Sequence, residues 1–390
     1  MKIAVLTESS SEYGRRLVDG VAAFARATHD WRLTWLNPDA IPQRGAFDGC
    51  SGIIARVAND AIAHRLKSTG LPVVDVFCQR SYPGFYGVNS NHEKIGCLAA
   101  EHFLAKRHTH FAFVGFRNVA FSDKRRQAFL SALERHGHRA VMREIALLRD
   151  QRAFFNTNIN PITDKSALES WLAGLHLPIA LFAANDLLAL NVSRLAHDMG
   201  IDIPRQMAIL GVDDDRLLCA FAETPISSID PNAFGIGYAA AQTLSDAMNS
   251  PSKKKNHLVL HIAPNGVVTR ASTERHAIKP EWLADVLGYI DSSLDRPLST
   301  VDLEAFTGRS HVTLSKAFRE NLGMSPLRYI TEVKMKAAHA LLARGELLVK
   351  EVAARVGYPS VSRFSVVYGE FWGHSPRQEK GGRRAANAAC

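Results

Sequence analysis

The sequence predicts two parallel-sheet α/β lobes followed by an all-α unit built from two tandem helix-turn-helices. Three observations carry that expectation. Over residues 1–275, short continuous apolar runs alternate with amphipathic stretches, as expected for parallel strands covered by helices on both faces. After Thr269–Arg275 the strand pattern stops and helical periodicity takes over. Within that final segment a single pattern occurs twice, displaced by about 50 residues.

In order along the chain, Ile3–Thr7 is the first expected strand. Leu17, Val21, Phe24 and Ala25, at three- and four-residue spacing, form the apolar stripe of the first helix. Strand-like runs follow at Gly52–Ala55, Pro72–Phe77, Phe111–Gly115, Ile179–Ala183 and Met207–Val212, with helical patterns at Ala61–Ser68, Ser122–His136 and Leu187–Met199. So many units exceed one small sheet, hence two lobes over 1–275. A polar stretch around Lys279-Pro280 predicts a linker at 276–282, with Pro280 suited to a helix start. Residues 283–378 hold the repeated helical pattern, and 379–390 are expected to be a disordered basic tail.

The 390 residues carry 47 Lys and Arg against 38 Asp and Glu, a net charge of +9. From Arg296 onward the count is 15 against 8, and before it 32 against 30, so the surplus is concentrated in the repeated segment. Clustered positive charge there predicts a polyanionic partner. Five scattered cysteines (Cys50, Cys78, Cys97, Cys219, Cys390) form no Cys-x-x-Cys pair, which opposes a disulfide scaffold or a zinc finger and favours a reducing compartment. No apolar run is long enough for a membrane span, and the opening Met1–Thr7 stretch is too short for a signal peptide. A cytoplasmic protein is expected.

In open parallel sheets, ligands bind beyond the carboxyl ends of the strands. The polar clusters there are Glu8–Ser11, Asn185-Asp186 and Asp213-Asp214-Asp215. Their carboxylates and amides offer directional hydrogen bonds to a hydroxyl-rich ligand. Asn185 is equally placed to cap the next helix. Phe121 is either a stacking platform or ordinary core. No glycine-rich phosphate loop, nucleophile elbow or metal-ligand helix is found, so no cofactor, metal or catalytic group is expected.

Five segments resemble the periplasmic-binding-protein-like sensor domain of LacI/GalR-type regulators in order and spacing. They are Phe182–Asp186, Gly200–Pro204, Leu210–Asp214, Pro225–Ile229 and Gly235–Ala240. The resemblance implies a sugar or similar small ligand held between the lobes by Ser10, Tyr13, Phe121, Arg125, Asn185, Asp186 and Asp213. It also places Phe129 beside the ligand, four residues after Arg125. Two departures stand out: Asn91 replaces the usual Asp, and Ala128 the usual Gly. That family's N-terminal helix-turn-helix is not found ahead of the first strand.

In the repeated segment, Leu303–Ala305 corresponds to Val352–Ala354, Gly308 to Gly357, and Leu314 and Phe318 to Phe364 and Tyr368. Gly323–Pro326 corresponds to Gly373–Pro376. Each copy is a helix, a glycine turn, a second helix and a Gly-x-Ser-Pro stop, which is a helix-turn-helix. The copies are joined by an amphipathic stretch over Tyr329–Leu342. The segment from Pro297 to Pro376 resembles the AraC/XylS-type DNA-binding domain, whose two recognition helices enter successive major grooves. Candidate base and phosphate contacts are Arg309, Ser310, His311, Thr313, Lys316 and Arg319 in the first copy, and Ser360, Val361 and Arg363 in the second. Ser310 is also a candidate helix cap. Val366 and Gly369 fill positions that are usually basic.

The combination implies a DNA-binding transcription regulator of sugar utilisation, an activator more than a repressor. Its expected effector is D-xylose or a related sugar, and its expected partners are double-stranded promoter DNA, RNA polymerase and a second copy of itself. Competing classes are a solute-binding protein, a repressor answering a different small ligand, and an enzyme. The basic helical segment opposes the first, and the missing catalytic constellation opposes the last.

Overall fold

The computed structural model describes residues 1–28, 30–36, 45–146, 165–249, 259–274, 280–344 and 347–379. The chain divides into two compact units, Met1–Glu274 and Arg275–Cys390.

The first unit holds two six-stranded sheets. One contains β1 (Lys2–Leu6), β2 (Arg32–Leu36), β3 (Gly52–Ala55), β4 (Val73–Asp75), β5 (Tyr86–Ser90) and β11 (Val259–Ile262), in the order β11-β5-β4-β3-β1-β2 and all parallel. The other contains β6 (Phe111–Phe116), β7 (Ala140–Ile145), β8 (Ile179–Ala183), β9 (Met207–Val212), β10 (Ser227–Asp230) and β12 (Gly266–Val268), in the order β12-β10-β9-β8-β6-β7, with only β12 antiparallel. Central strands β3, β6, β8 and β9 are buried along their whole length, which is why their apolar runs are unbroken. Edge strands β2, β7 and β11 expose Trp35, Val141, Met142 and Leu260 and lack such runs.

Helix α1 (Glu12–Thr28) buries Leu17, Val21, Phe24 and Ala25 as its spacing requires. Helices α2 (Asp60–Lys67), α3 (His92–Ala105), α4 (Ala120–Glu134), α5 (Lys165–Ala173), α6 (Asp186–Asp198), α7 (Arg216–Ala220) and α8 (Ala233–Asn249) complete the unit. The strand expected over Pro72–Phe77 is cut to Val73–Asp75, because the buried Asp75 carboxylate accepts from the backbone N–H groups of Phe77 (2.9 Å) and Val57 (3.2 Å). Those bonds replace ladder pairing.

The chain crosses between lobes three times. After β5 it enters α3, which packs in the core of the second sheet; after β10 it returns through α8 to the first; and β11 leads back to β12. The crossings are tied together by Asn91 N–H to Ile262 O (2.8 Å), Asn265 N–H to Asp230 O (2.9 Å) and Asn232 Nδ2 to Ala263 O (3.2 Å).

The second unit has six helices among the described residues: α9 (Glu281–Ser292), α10 (Thr300–Thr307), α11 (His311–Leu322), α12 (Pro326–Arg344), α13 (Val349–Arg355) and α14 (Val361–Trp372). Helix α9 begins at Glu281, inside the stretch expected to be linker; residues 275–279 lie outside the described residues. Two small cores form. One joins Leu287, Ile290, Leu303, Leu314, Phe318 and Ile330, the other Met335, Leu342, Val352, Phe364 and Tyr368. Helix α12 supplies both, so it is the shared spine.

Lys334, 3% exposed, lies midway along that spine. Its ammonium donates to the carbonyls of Leu294 (2.9 Å), Arg296 (2.7 Å) and Val356 (2.7 Å), fastening the end of α9 to the turn after α13. Gly308 and Gly357 hold the two helix-turn-helix turns at φ 65° and 69°, the left-handed region that favours glycine. At Gly357 a Cβ would also lie 2.2 Å from the Arg296 carbonyl oxygen. Glu379, expected in the tail, instead faces His374 (3.5 Å) and His339 (3.8 Å) and belongs to the helical unit; residues 380–390 lie outside the described residues. No helix among the described residues is long and apolar enough to cross a membrane.

Candidate functional site

The first unit encloses a cleft of about 860 Å³, counted out to solvent, between its two lobes. Ser10, Tyr13, Phe121, Arg125, Asn185, Asp186 and Asp213 all line it. Each follows a strand's carboxyl end or sits in the first turns of the next helix, where the strand–loop–helix pattern places it.

Their roles differ. Arg125, 3% exposed, donates to the Ala184 carbonyl, lies 3.9 Å from Asp213 Oδ1, and sets its guanidinium 4.9 Å from the centroid of the Phe121 ring. Asp213 has a φ of 116°, strained for a non-glycine residue, which aims its carboxylate into the cleft. Burial, reinforced by Asp215 and Glu8 and opposed by Arg125 and Arg56, pushes its pKa up to about 6. Burial likewise pushes the Tyr13 hydroxyl up to about 12, so it stays a neutral donor.

Asp186 gathers three donors from the protein. It accepts from Ser228 Oγ (2.6 Å), Asp215 N–H (2.8 Å) and Cys219 Sγ (3.5 Å), and fits because a Cβ at position 211 would lie 2.1 Å from its Oδ1. Burial, with the nearby Asp213 charge, raises its pKa well above the usual carboxylate value. Its contact with Asp215 N–H ties it to the turn that carries Asp213. Asn185 caps α6, its Oδ1 accepting from Leu188 N–H (3.0 Å), with the Nδ2 end left for the cleft. Asn91 likewise caps α3, accepting from Lys94 N–H (2.9 Å). Phe129 is fully buried among Phe103, Phe113 and Phe182 and does not reach the cleft, because the four-residue step along α4 turns it to the core. The placement beside the ligand is thereby corrected.

Sequence reasoning missed Arg56, Phe77, Asn89 and His92, which also line the cleft. Arg56 forms a buried pair with Glu8 (3.0 Å) and lies 4.1 Å from the centroid of the Phe77 ring. Arg56 directly follows one strand-like run and Phe77 ends another, so the rule that found Asp213 reaches them too. The cleft thus combines two arginines, each beside a carboxylate, with aromatic faces and neutral hydroxyl and amide groups.

A polar bridge joins the lobes at the cleft's edge. Arg16 on α1 contacts Asp214 (3.3 Å) and Asp230 (3.4 Å) across the lobes and Glu12 (3.0 Å) on its own helix. Glu12 N–H donates to Asp215 Oδ2 (3.1 Å), and Arg216 N–H to Glu12 Oε2 (2.8 Å).

In the second unit, Arg309, Ser310, His311, Thr313, Lys316 and Arg319 are exposed on or beside α11, as are Ser360, Val361 and Arg363 on or beside α14. Ser310 and Ser360 are helix caps, accepting from Thr313 N–H (3.4 Å) and Arg363 N–H (3.3 Å). Arg309 stacks over Trp282 at 4.5 Å, so some of its guanidinium surface is spent holding α9 to the turn. The second recognition helix carries Val366 and Gly369 where the first carries Lys316 and Arg319, so its face is less basic.

A family model described as a periplasmic binding protein-like domain matches residues 100–273, and one described as a helix-turn-helix domain matches 303–380. The xylose operon regulatory protein of Haemophilus influenzae is 23% identical over 386 residues, 97% of each chain. Among solved structures, a xylose-binding transcription activator aligns over 97% of both chains with a TM-score of 0.59 and 21% identity. A LacI family regulator from Enterococcus faecium, with bound ribose, aligns with 70% of this chain and 98% of its own, with a TM-score of 0.55 and 21% identity. Along nearly its whole length the chain is similar to the xylose operon regulatory proteins, with one segment matching a periplasmic binding protein-like domain and a later one a helix-turn-helix domain.

Proposed function

We propose that the chain is a sugar-responsive transcription regulator whose cleft binds D-xylose or a closely related neutral sugar. The observation that carries this reading is the cleft itself. Arg125 and Asp213 lie 3.9 Å apart in a cleft also lined by Phe121 and Tyr13, in a chain whose other unit is a double helix-turn-helix. Arginine–carboxylate pairs offer donors and acceptors in balance, which suits hydroxyls, while the aromatic faces suit the apolar side of a pyranose ring. Both arginines stand beside carboxylates, so the balance disfavours a charged sugar acid.

Arg125, Asp213, Tyr13 and Ser10 are the proposed hydroxyl contacts, Phe121 the stacking face, Asn185 a donor through Nδ2, and Asp186 the support of Asp213. On DNA, His311, Thr313, Val361 and Arg363 are proposed near base edges, with Lys316 and Arg319 on phosphates. The sugar acts by binding one lobe arrangement more tightly than another, which biases the population that engages DNA. The working form is a homodimer on promoter DNA in the cytoplasm, recruiting RNA polymerase as an activator. Calorimetry of the full chain against a panel of pentoses and hexoses tests the cleft. Saturable binding of D-xylose or an epimer is expected, and no binding by any member of the panel refutes the reading.

A further inference from the structure

We infer that His92 recognises one hydroxyl of the bound sugar through a hydrogen bond at one of its ring nitrogens. The inference rests on the sugar-binding reading above and adds a determinant of specificity to it.

His92 is the first residue of α3, where the chain has just crossed from one lobe to the other. It lines the cleft and is 6% exposed. Among the described residues, neither Nδ1 nor Nε2 has a hydrogen-bond partner. A buried polar atom left in that condition is destabilising, so an imidazole with both nitrogens unbonded is poorly explained as packing. The neighbouring wall repeats the feature: Arg125 Nε is also buried without a protein partner. Phe121 lies between them, its ring centroid 6.2 Å from that of His92 and 4.9 Å from the Arg125 guanidinium carbon. Three polar atoms without protein partners therefore flank one aromatic face, the arrangement a ring bearing adjacent hydroxyls would satisfy.

The imidazole is held neutral. Burial first, then the charges of Arg125 and Lys124 and the nearby His261, move its pKa well below the usual histidine value. A neutral imidazole has one N–H donor and one bare nitrogen acceptor. A hydroxyl can pair with either nitrogen, whereas a carbonyl or an ether oxygen can pair only with the donor.

The test is calorimetry of the full chain with D-xylose and each singly deoxygenated D-xylose, on the wild type, His92→Phe and His92→Gln. The wild type should bind one deoxy sugar at least ~10-fold more weakly than D-xylose. His92→Phe should weaken D-xylose by a similar factor, yet bind that deoxy sugar no more weakly than the wild type does, because the same contact is lost only once. His92→Gln, which keeps a donor and an acceptor, should recover some of the affinity, and it carries the comparison should His92→Phe fail to fold by thermal melting. Equal factors for every sugar, or unchanged D-xylose affinity in both variants, overturn the role of His92 alone. Failure of the wild type to bind any sugar overturns the sugar-binding reading and this inference with it.

Discussion

Replacing Asp213 by Asn should make the protein more stable at neutral pH while removing its response to sugar. Folded Asp213 titrates near 6 instead of 3.8. Between those values the folded chain retains a proton that the unfolded chain has released. The favourable contribution of this group is therefore complete below about 3.8 and is lost as pH rises through 6. Two pH units correspond to about 3 kcal/mol, and a quarter of the side chain is exposed, so solvent reduces the expected gain to about 1–3 kcal/mol. Asn mimics the protonated acid and enters positive φ more readily than most residues. Little is forfeited at Arg125, whose contact to Asp213 is 3.9 Å long and whose guanidinium keeps the Ala184 carbonyl. The assay is urea unfolding of wild type and Asp213→Asn between pH 4 and 7.5. The variant should be the more stable at pH 7, with the difference shrinking toward zero at pH 4, while D-xylose affinity falls at least ~10-fold for want of a charge-assisted hydrogen bond. A variant less stable than wild type at pH 7, or a difference independent of pH, would refute the electrostatic argument.

Arg16→Ala removes contacts to Asp214 and Asp230 that span the lobes, and Arg16 is largely buried. Sugar affinity measured by calorimetry should fall about 5-fold, a loss of about 1 kcal/mol. Lys334→Met leaves three carbonyls without their donor, and thermal melts should show the helical unit destabilised by about 3 kcal/mol or more, with DNA affinity reduced. Gly369→Ala in the second recognition helix should stabilise that unit by about 0.5–1 kcal/mol, because a Cβ there meets only the His374 carbonyl oxygen, at 4.0 Å.

Much of the fold was legible because the buried strands declare themselves. Gly52–Ala55, Ile179–Ala183 and Met207–Val212 coincide with their apolar runs. Strand β5 did not, since Tyr86-Gly87-Val88-Asn89-Ser90 is half polar, and with it went the approach to Asn89 and His92. The edge strands were hidden for the related reason that one face meets solvent. In the cleft, residues after recognised strands were found, but sequence alone could not divide contact from support. Asp186 and Asp213 look alike in the sequence, and only the three donors gathered on Asp186 separate them. Phe129 shows the opposite failure: the family resemblance placed it beside a ligand, and helix geometry turns it into the core. In the helical unit, the tandem glycine turns marked both helix-turn-helices. Lys334 was not singled out, although its position between Ile330 and Ala338, both buried, was a signal.

The central claim is that occupancy of the cleft changes how the double helix-turn-helix holds DNA. Its most direct test is fluorescence anisotropy of the full chain with a duplex selected by the protein from a randomised pool, titrated across salt with and without saturating D-xylose. If the claim holds, a log–log salt slope near −5 follows for about 6 neutralised phosphates, and sugar shifts the DNA Kd by ~5-fold or more. A salt-dependent DNA Kd that is identical with and without a sugar bound in the cleft would contradict it.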